Sequence, residues 1–187
     1  MTVTKSSKQP RVSRLPPLPD PLPADVTALF EERLKKMGRI LNLHHVLAHA
    51  PKLSKASAQM AFALRYETST PRLYIELAIV RAGMNANGKY EVQQHKPMLL
   101  GEGFSLKKYN ALAKWRPSKL FDDKERAILA YVDQMSNKGN VSDRIFKDVA
   151  RYFDAQQIME LTSAVATYYG ISLLMNALKI KLEKKKK

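Results

Sequence analysis

Two residues near the middle of the chain are spaced so that they could exchange protons. Glu91 and His95 lie four positions apart, which places both side chains on one face of a helix near its start. A carboxylate beside an imidazole can orient the ring, set its tautomer and raise its pKa. The same spacing also produces ordinary surface ion pairs. The pair alone therefore indicates acid–base chemistry or a surface contact.

A third candidate, Glu76, interrupts a helix that is otherwise apolar on nearly every side. That composition predicts a buried helix. A buried carboxylate must be paired, or its pKa must rise through desolvation. Either state suits general acid–base catalysis. The structural alternative is a salt bridge to Arg72, Arg81 or another cation.

These residues belong to two of nine predicted helices. Apolar residues at helical spacing, helix-capping residues and Gly or Pro stops predict them. Their approximate ranges are 26–37, 42–50, 53–64, 71–85, 89–102, 105–115, 122–135, 142–152 and 154–175. Pro97 falls inside the fifth helix and is expected to kink it just past His95. No alternating strand of useful length is present, so the predicted fold class is all-α.

The charge pattern separates the ends of the chain from its centre. Residues 1–23 are predicted to form an extended, Pro-rich basic arm, residues 24–182 one helical domain, and residues 183–187 a Lys tail. The net charge of +15 comes largely from both ends. Solvated tails explain it most simply, and binding of the basic ends to nucleic acid or to another acidic partner is the alternative. No nucleic-acid-binding signature is present, so nucleic acid is not an expected partner.

Composition narrows the chemistry further. The chain has no Cys, which excludes disulfides, thiolate metal sites and thiol mechanisms. His45 and His49 have a metal-binding spacing, but no third ligand is evident, so no metal is expected. No apolar run approaches the length of roughly 20 residues that spans a bilayer. We expect a cytoplasmic protein, with a mitochondrial address in the Arg- and Ser-containing start as the alternative.

The order Glu76, Gly88, Glu91, His95 resembles the alkylhydroperoxidase-D and carboxymuconolactone decarboxylase superfamily. Its redox members carry a Glu followed by Cys-x-x-Cys-x-x-x-His, and Gly88 and Glu91 stand where those two Cys residues would be. The segment from Tyr90 to His95 is similar to the Tyr-Glu-Trp-x-x-His form of the cysteine-free branch, with Val in place of Trp. Segments that begin at Leu41, Thr70, Phe121 and Glu160 extend the resemblance over about residues 22–182.

This resemblance implies a compact multi-helix, alkylhydroperoxidase-D-like subunit that assembles into homo-trimers or homo-hexamers. It also implies a small-molecule substrate, because the decarboxylase branch acts on small carboxylated lactones without metal or organic cofactor. The expected activity is that of a lyase (decarboxylase) or isomerase. A non-enzymatic helical oligomer with a remnant site and a basic-tail binder are the alternatives.

The resemblance also implies roles for particular residues. One carboxylic acid would deliver a proton to carbon, and His95 or Arg81 would hold the substrate carboxylate or stabilise an enolate. The expected catalytic residues are Glu76, Glu91 and His95, and the expected substrate-binding residues are Tyr90, Arg81 and Tyr168.

Overall fold

A computed structural model describes residues 11–183 of the chain. Over this range the chain forms nine α-helices and no strand, so the all-α prediction is confirmed. The helices are α1 (Ala24–Met37), α2 (Asn42–Leu47), α3 (Pro51–Tyr66), α4 (Arg72–Asn85), α5 (Lys89–Gly101), α6 (Leu106–Ala111), α7 (Asp123–Lys138), α8 (Asp143–Ala150) and α9 (Ala155–Leu178).

Local signals set most of the helix ends. Gly38 adopts φ 67°, a left-handed conformation that stops α1 at low steric cost. Asp122 and Glu125 form the predicted capping box at the start of α7, each side chain accepting the other's backbone N–H at 2.8 and 3.0 Å. The Asp154 carboxylate accepts the N–H of Gln157 and caps α9. Helix starts were therefore predictable from neighbouring residues.

Two elements, α2 and α6, differ from the prediction. α2 ends at Leu47, three residues early, and Pro51 opens α3, where its missing N–H costs no helical bond. α6 ends at Ala111 and is followed by a 3₁₀ turn over Leu112–Lys114. α5 remains helical through Pro97 to Gly101.

The chain divides into two compact units, and the first holds the part before Gln59 together with the segment that starts at Ala177. Residues 11–23 form no helix there. Leu18 packs with Val26, Leu29, Phe30 and Ala48 in a small apolar core. The segment is also bound through its backbone, since the Arg14 N–H donates to the Leu178 carbonyl and the Lys181 N–H to the Val12 carbonyl. Residues 1–10 and 184–187, with most of the predicted basic ends, lie outside the described residues.

The second unit, Met60–Asn176, holds every predicted site residue. Its centre is α4, which packs against α5 and α7, while α7 in turn packs against α8. α4 is buried on several sides, and its side chains from Ile75 to Val80 have no solvent exposure. Because no face of this stretch meets water, the Glu76 carboxylate is fully buried, as the composition of the helix predicts.

Among the described helices, α9 is long and apolar enough to cross a membrane by length and composition. That is weak evidence for a membrane span, because core helices of soluble proteins pass the same test. One face of α9, including Leu161, Val165 and Tyr168, belongs to the main apolar core of the second unit. We therefore treat α9 as a core helix that also has an exposed face.

Candidate active site

Glu76, His95 and Glu91 meet inside the second unit and form one hydrogen-bonded triad. The His95 Nδ1 lies 2.7 Å from Oε2 of Glu76, and its Nε2 lies 2.9 Å from Oε1 of Glu91. α4 supplies Glu76, and one turn of α5 supplies the other two residues. All three are buried, with exposures of 0, 3 and 5% for Glu76, Glu91 and His95. The surface-pair interpretation of Glu91 and His95 is therefore wrong.

The triad favours a protonated ring. Burial opposes the charge on His95, but hydrogen bonds to Glu76 and Glu91 and their negative charges outweigh it and raise the pKa of His95 to about 9. At neutral pH both ring nitrogens therefore donate, one to each carboxylate. Both ring nitrogens of His95 are occupied by carboxylates, an arrangement that suits holding or passing protons. The expected role of His95 in holding the substrate carboxylate stays a prediction.

Tyr168 closes one side of the triad. Its ring stands edge-on to the His95 ring, with centroids 5.0 Å apart and an interplanar angle of 77°. Burial raises the pKa of Tyr168, and the charges of Glu91 and Glu76 add to this against the opposing effect of Arg65. Tyr168 therefore stays neutral at physiological pH. Tyr90, the residue before Glu91, is also buried.

A close contact between α5 and α9 fixes the start of the site. A Cβ placed on Gly88 would lie 2.7 Å from both Cβ and Oγ of Ser172. Ser172 is fully buried, and its hydroxyl has no hydrogen-bond partner. Any residue larger than Gly at position 88 would force the two helices apart. This position is therefore closed to a side chain, the first Cys of the redox pattern included.

The loop before α4 is held by one acidic residue. Glu160 of α9 accepts hydrogen bonds from the backbone N–H groups of Ser69 and Thr70 at 3.0 and 2.8 Å, and from the Thr70 hydroxyl at 2.7 Å. Burial opposes ionisation of Glu160, but these donors outweigh it and lower its pKa to about 2. Since α4 begins two residues after Thr70, Glu160 helps to fix the position of the helix that carries Glu76.

Arg72 links the triad to the surface. Its Nη2 lies 3.5 Å from Oε1 of Glu76, and its Nε lies 3.4 Å from Oε1 of Glu102. The guanidinium carbon stands 4.7 Å from the centre of the Tyr66 ring. The i, i+4 spacing of Arg72 and Glu76 indicated this pairing in advance. It did not indicate the position of Tyr66 or Glu102.

Arg81 is directed elsewhere. Its Nε donates to Oδ1 of Asp133 at 2.6 Å, and its Nη1 donates to the Leu112 carbonyl at 3.0 Å. Asp133 also accepts from Asn85 and Trp115. The structure does not bring Arg81 to the triad, so the substrate-binding role expected for it is replaced by a structural one.

The sequence gave no sign of the Asp133 cluster, because Asp133 lies on α7, 52 positions from Arg81.

His45 and His49, whose spacing is compatible with metal binding, both make contacts within the protein. The His45 ring packs edge-on to Phe30, and the His49 Nε2 lies 3.1 Å from the Pro16 carbonyl oxygen. These contacts support the structural interpretation of both histidines.

Comparison with known proteins agrees with this architecture. An uncharacterized peroxidase-related protein from Silicibacter sp. TM1040 superposes with a TM-score of 0.80 at 17% identity, over 97% of each chain. The alkylhydroperoxidase AhpD core from Ralstonia eutropha JMP134, also described as peroxidase-related, gives 0.79 at 18% identity over 94% of this chain and 95% of that one. The debrominase Bmp8 in complex with 2,3,4-tribromopyrrole gives 0.74 at 16% identity, over 94 and 92%.

The chain therefore has the alkylhydroperoxidase AhpD-like fold, as the resemblance implies. No model of a protein family matches the sequence. In sequence, the chain is similar to the uncharacterized protein YnjA of Escherichia coli (strain K12), with 41% identity over 56 residues. That match spans 29% of this chain and 31% of YnjA.

Proposed function

We propose that this chain is a carboxymuconolactone decarboxylase-like enzyme that works without a cofactor. It would act as a lyase (decarboxylase) or isomerase on a small carboxylated or lactone-type substrate. The observation that carries the proposal is the buried imidazole of His95, bridged to two carboxylates at 2.7 and 2.9 Å. Two acids that share one titrating ring can store a proton and deliver it without sulfur or metal.

Within the triad, Glu76 is the proposed proton-transfer group because one of its oxygens is not engaged by His95. Its Oε2 is bonded to His95, while its buried Oε1 has no hydrogen-bond partner. In an isomerisation, Oε1 would take a proton from a carbon beside a carbonyl and return it to another carbon. The imidazolium of His95 would stabilise the ionised acid before and after each transfer.

A decarboxylation would use the same atoms in a different order. The bond between the substrate carboxylate and its carbon would break, releasing carbon dioxide and leaving the electron pair as an enolate. Glu76, protonated by His95, would then give its proton to that carbon, and solvent would return a proton to the ring. The debrominase Bmp8, which was solved with 2,3,4-tribromopyrrole, supports a small cyclic molecule as a ligand of this fold.

A thermal-shift screen of small lactones and of keto and hydroxy acids, followed by proton NMR of the best ligands, tests the proposal. Glu76→Gln keeps the size of the side chain but cannot exchange a proton. We expect it to lower turnover by about 10²–10⁴-fold. Glu67→Gln, at the exposed position that follows α3, is the control and should leave turnover unchanged. Full activity of Glu76→Gln would contradict the proposal.

A second candidate is a non-enzymatic helical protein in which the triad is a structural ion cluster. The burial of all three side chains favours it, because a cluster shielded from water can simply hold α4 against α5. Under this alternative no small molecule in the screen reaches His95, and Glu76→Gln changes stability alone. A ligand that shifts the NMR signals of the His95 ring separates the two candidates.

We also propose that the protein assembles as a homo-oligomer, a trimer or hexamer. The exposed face of α9 supports this, because it presents Met159, Leu173 and Leu174 to solvent at 65, 48 and 37% exposure. Light scattering of Leu173→Lys should show a smaller particle than the unmodified chain. Phe146→Lys, on the exposed face of α8, is the control. The cytoplasmic location stays a prediction.

A further inference from the structure

The guanidinium of Arg72 lies between a buried carboxylate and an exposed one and is tightly bound to neither. Its contacts with Glu76 and Glu102 are 3.5 and 3.4 Å, whereas charge-assisted hydrogen bonds measure roughly 2.7–2.9 Å. The Arg72 Nε and the Glu76 Oε1 are both buried, and neither has a hydrogen-bond partner. Because native structures pair almost all such atoms, these two groups retain unused hydrogen-bonding capacity on the side where they face each other.

The surroundings of Arg72 suit an exchange of anions. The Arg72 side chain is 30% exposed, and that of Glu102 is 34% exposed. Glu102 caps the C-terminal end of α5, where the helix dipole disfavours a negative charge. Glu102 is therefore a weakly held partner that an incoming carboxylate can displace from the guanidinium. The exposed Tyr66 ring beneath the guanidinium supports the fork in place.

We propose that Arg72 binds the carboxylate of an anionic substrate in place of Glu102 and so delivers the reacting carbon to Oε1 of Glu76. This rests on the proposed function, in which Glu76 transfers the proton. Arg72 is a cation that contacts Glu76 from the partly exposed side, so it can hold an anion beside the triad. Arg72 is assigned this role because Arg81 and both nitrogens of His95 are already occupied. The substrate class is accordingly a small carboxylate with a lactone or ketone.

Binding can be measured without turnover. The probes are 5-oxotetrahydrofuran-2-carboxylate, which is a carboxylated lactone, and γ-butyrolactone, its neutral counterpart. Titration of each into the full chain, followed through the ¹⁵N signal of the Arg72 Nε, gives the dissociation constant. We expect the carboxylated probe to shift that signal and the neutral probe to leave it in place. No shift up to about 100 mM carboxylated probe would overturn the proposal.

Variants separate Arg72 from its neighbours. Arg72→Gln should weaken binding of the carboxylated probe at least tenfold. Arg72→Lys should weaken it less, because lysine keeps the positive charge but lacks the two-pronged guanidinium. Glu102→Gln should strengthen binding several-fold by removing the competing carboxylate. Arg65→Gln is the matched control, since Arg65 also lies over the Tyr66 ring but its Nε donates to the Ala61 carbonyl. Equal effects of Arg65→Gln and Arg72→Gln would overturn the assignment.

The proposal and the proposed function fail in different ways. If Arg72 binds the carboxylated probe while Glu76→Gln leaves turnover unchanged, the anion site stands and the proton-transfer role falls. If Glu76→Gln abolishes turnover while Arg72→Gln alters neither probe binding nor KM, Arg72 is not the anion site. Circular dichroism of each variant shows that the helices remain folded, and Arg72→Lys supplies a second test if Arg72→Gln unfolds.

Discussion

Two buried clusters of charge flank α4, and they differ in how completely their carboxylates are paired. Asp133 accepts from Arg81 and Asn85 at one oxygen and from Trp115 and Arg116 at the other, at 2.6–3.2 Å. Burial opposes its ionisation, but these donors outweigh it and hold the pKa of Asp133 below its usual range. A carboxylate whose two oxygens both accept several hydrogen bonds has a structural role.

The triad on the other side of α4 is unsaturated. Its three members comprise two acids and one base, and Oε1 of Glu76 has no hydrogen-bond donor. The ring between the acids changes its charge within an accessible pH range, whereas the arginines of the Asp133 cluster stay charged. The comparison shows that burial alone does not distinguish a functional site from a structural cluster. Incomplete hydrogen bonding and the presence of a titrating group do distinguish them.

The largest expected difference between the clusters is in turnover. His95→Ala removes the ring that stores the proton, so turnover should fall by about 10²–10⁴-fold. Asp133→Asn keeps the shape of the other cluster and should leave turnover within a few-fold of the unmodified protein. Both are measured with whichever ligand of the lactone and keto acid screen is converted. Equal losses in the two variants would mean that turnover reports stability rather than chemistry.

The free energy of unfolding should depend strongly on the Asp133 cluster. Asp133→Ala leaves the buried guanidinium of Arg81 without its carboxylate, and breaking such a pair costs about 3–5 kcal/mol. Urea unfolding followed by circular dichroism measures the loss in free energy of unfolding. Glu102→Ala, which removes a partly exposed carboxylate, should cost well under 1 kcal/mol, on the order of other exposed pairs. A loss below about 1 kcal/mol for Asp133→Ala would contradict the structural role of the Asp133 cluster.

The pH dependence of the triad sharpens the comparison further. The pKa of His95 is raised from 6.5 to about 9 in the folded chain. Its contribution to stability is therefore complete below about pH 6.5 and is lost as the pH rises through 9, by at most about 3 kcal/mol. Unfolding free energies between pH 6 and about 10 measure it. The ¹⁵N shifts of the ring report the titration directly, and a midpoint near 6.5 would contradict the role of the two carboxylates.

The triad was easier to predict from the sequence than the Asp133 cluster, because its residues are closer together along the chain. Glu91 and His95 are one helical turn apart, and the apolar character of α4 indicates the burial of Glu76. Joining α4 to α5 across 19 positions then needed only the resemblance to a known order of residues. Local capping rules gave the end of α1 and the start of α7 in the same way.

The residues that the sequence did not reveal depend on distant partners. Arg81 was expected to face the substrate because only its type and its helix were known. The structure instead pairs it with Asp133, on a helix that begins 42 positions later. Gly88 likewise required the structure, since the side chain that excludes a Cβ there is Ser172 of α9. Charge and spacing predict what a residue can do, but long-range packing decides which partner it meets.

The smallest expected effect concerns a third carboxylate, which lies outside both clusters. Glu160 binds the loop that precedes α4, and its pKa is lowered from 4.5 to about 2 by the donors of Ser69 and Thr70, against the opposing effect of burial. A lowered pKa means that its contribution is present above about pH 4.5 and is lost as the pH falls towards 2. Because Glu160 is largely solvated, Glu160→Gln should cost only about 1 kcal/mol at neutral pH.

Urea unfolding of the unmodified chain and of Glu160→Gln at several values from pH 7 down to about 2 measures that contribution. The two free energies of unfolding should converge as the acid becomes protonated. Gln156→Ala is the matched control, since Gln156 donates to Glu160 from the same helix, whereas Ser69 and Thr70 donate from the loop. A difference that stays constant across this range would show that the side-chain shape of Glu160, and not its charge, holds the loop. The start of α4 would then be independent of pH, which would leave the triad as the group whose protonation controls this helix.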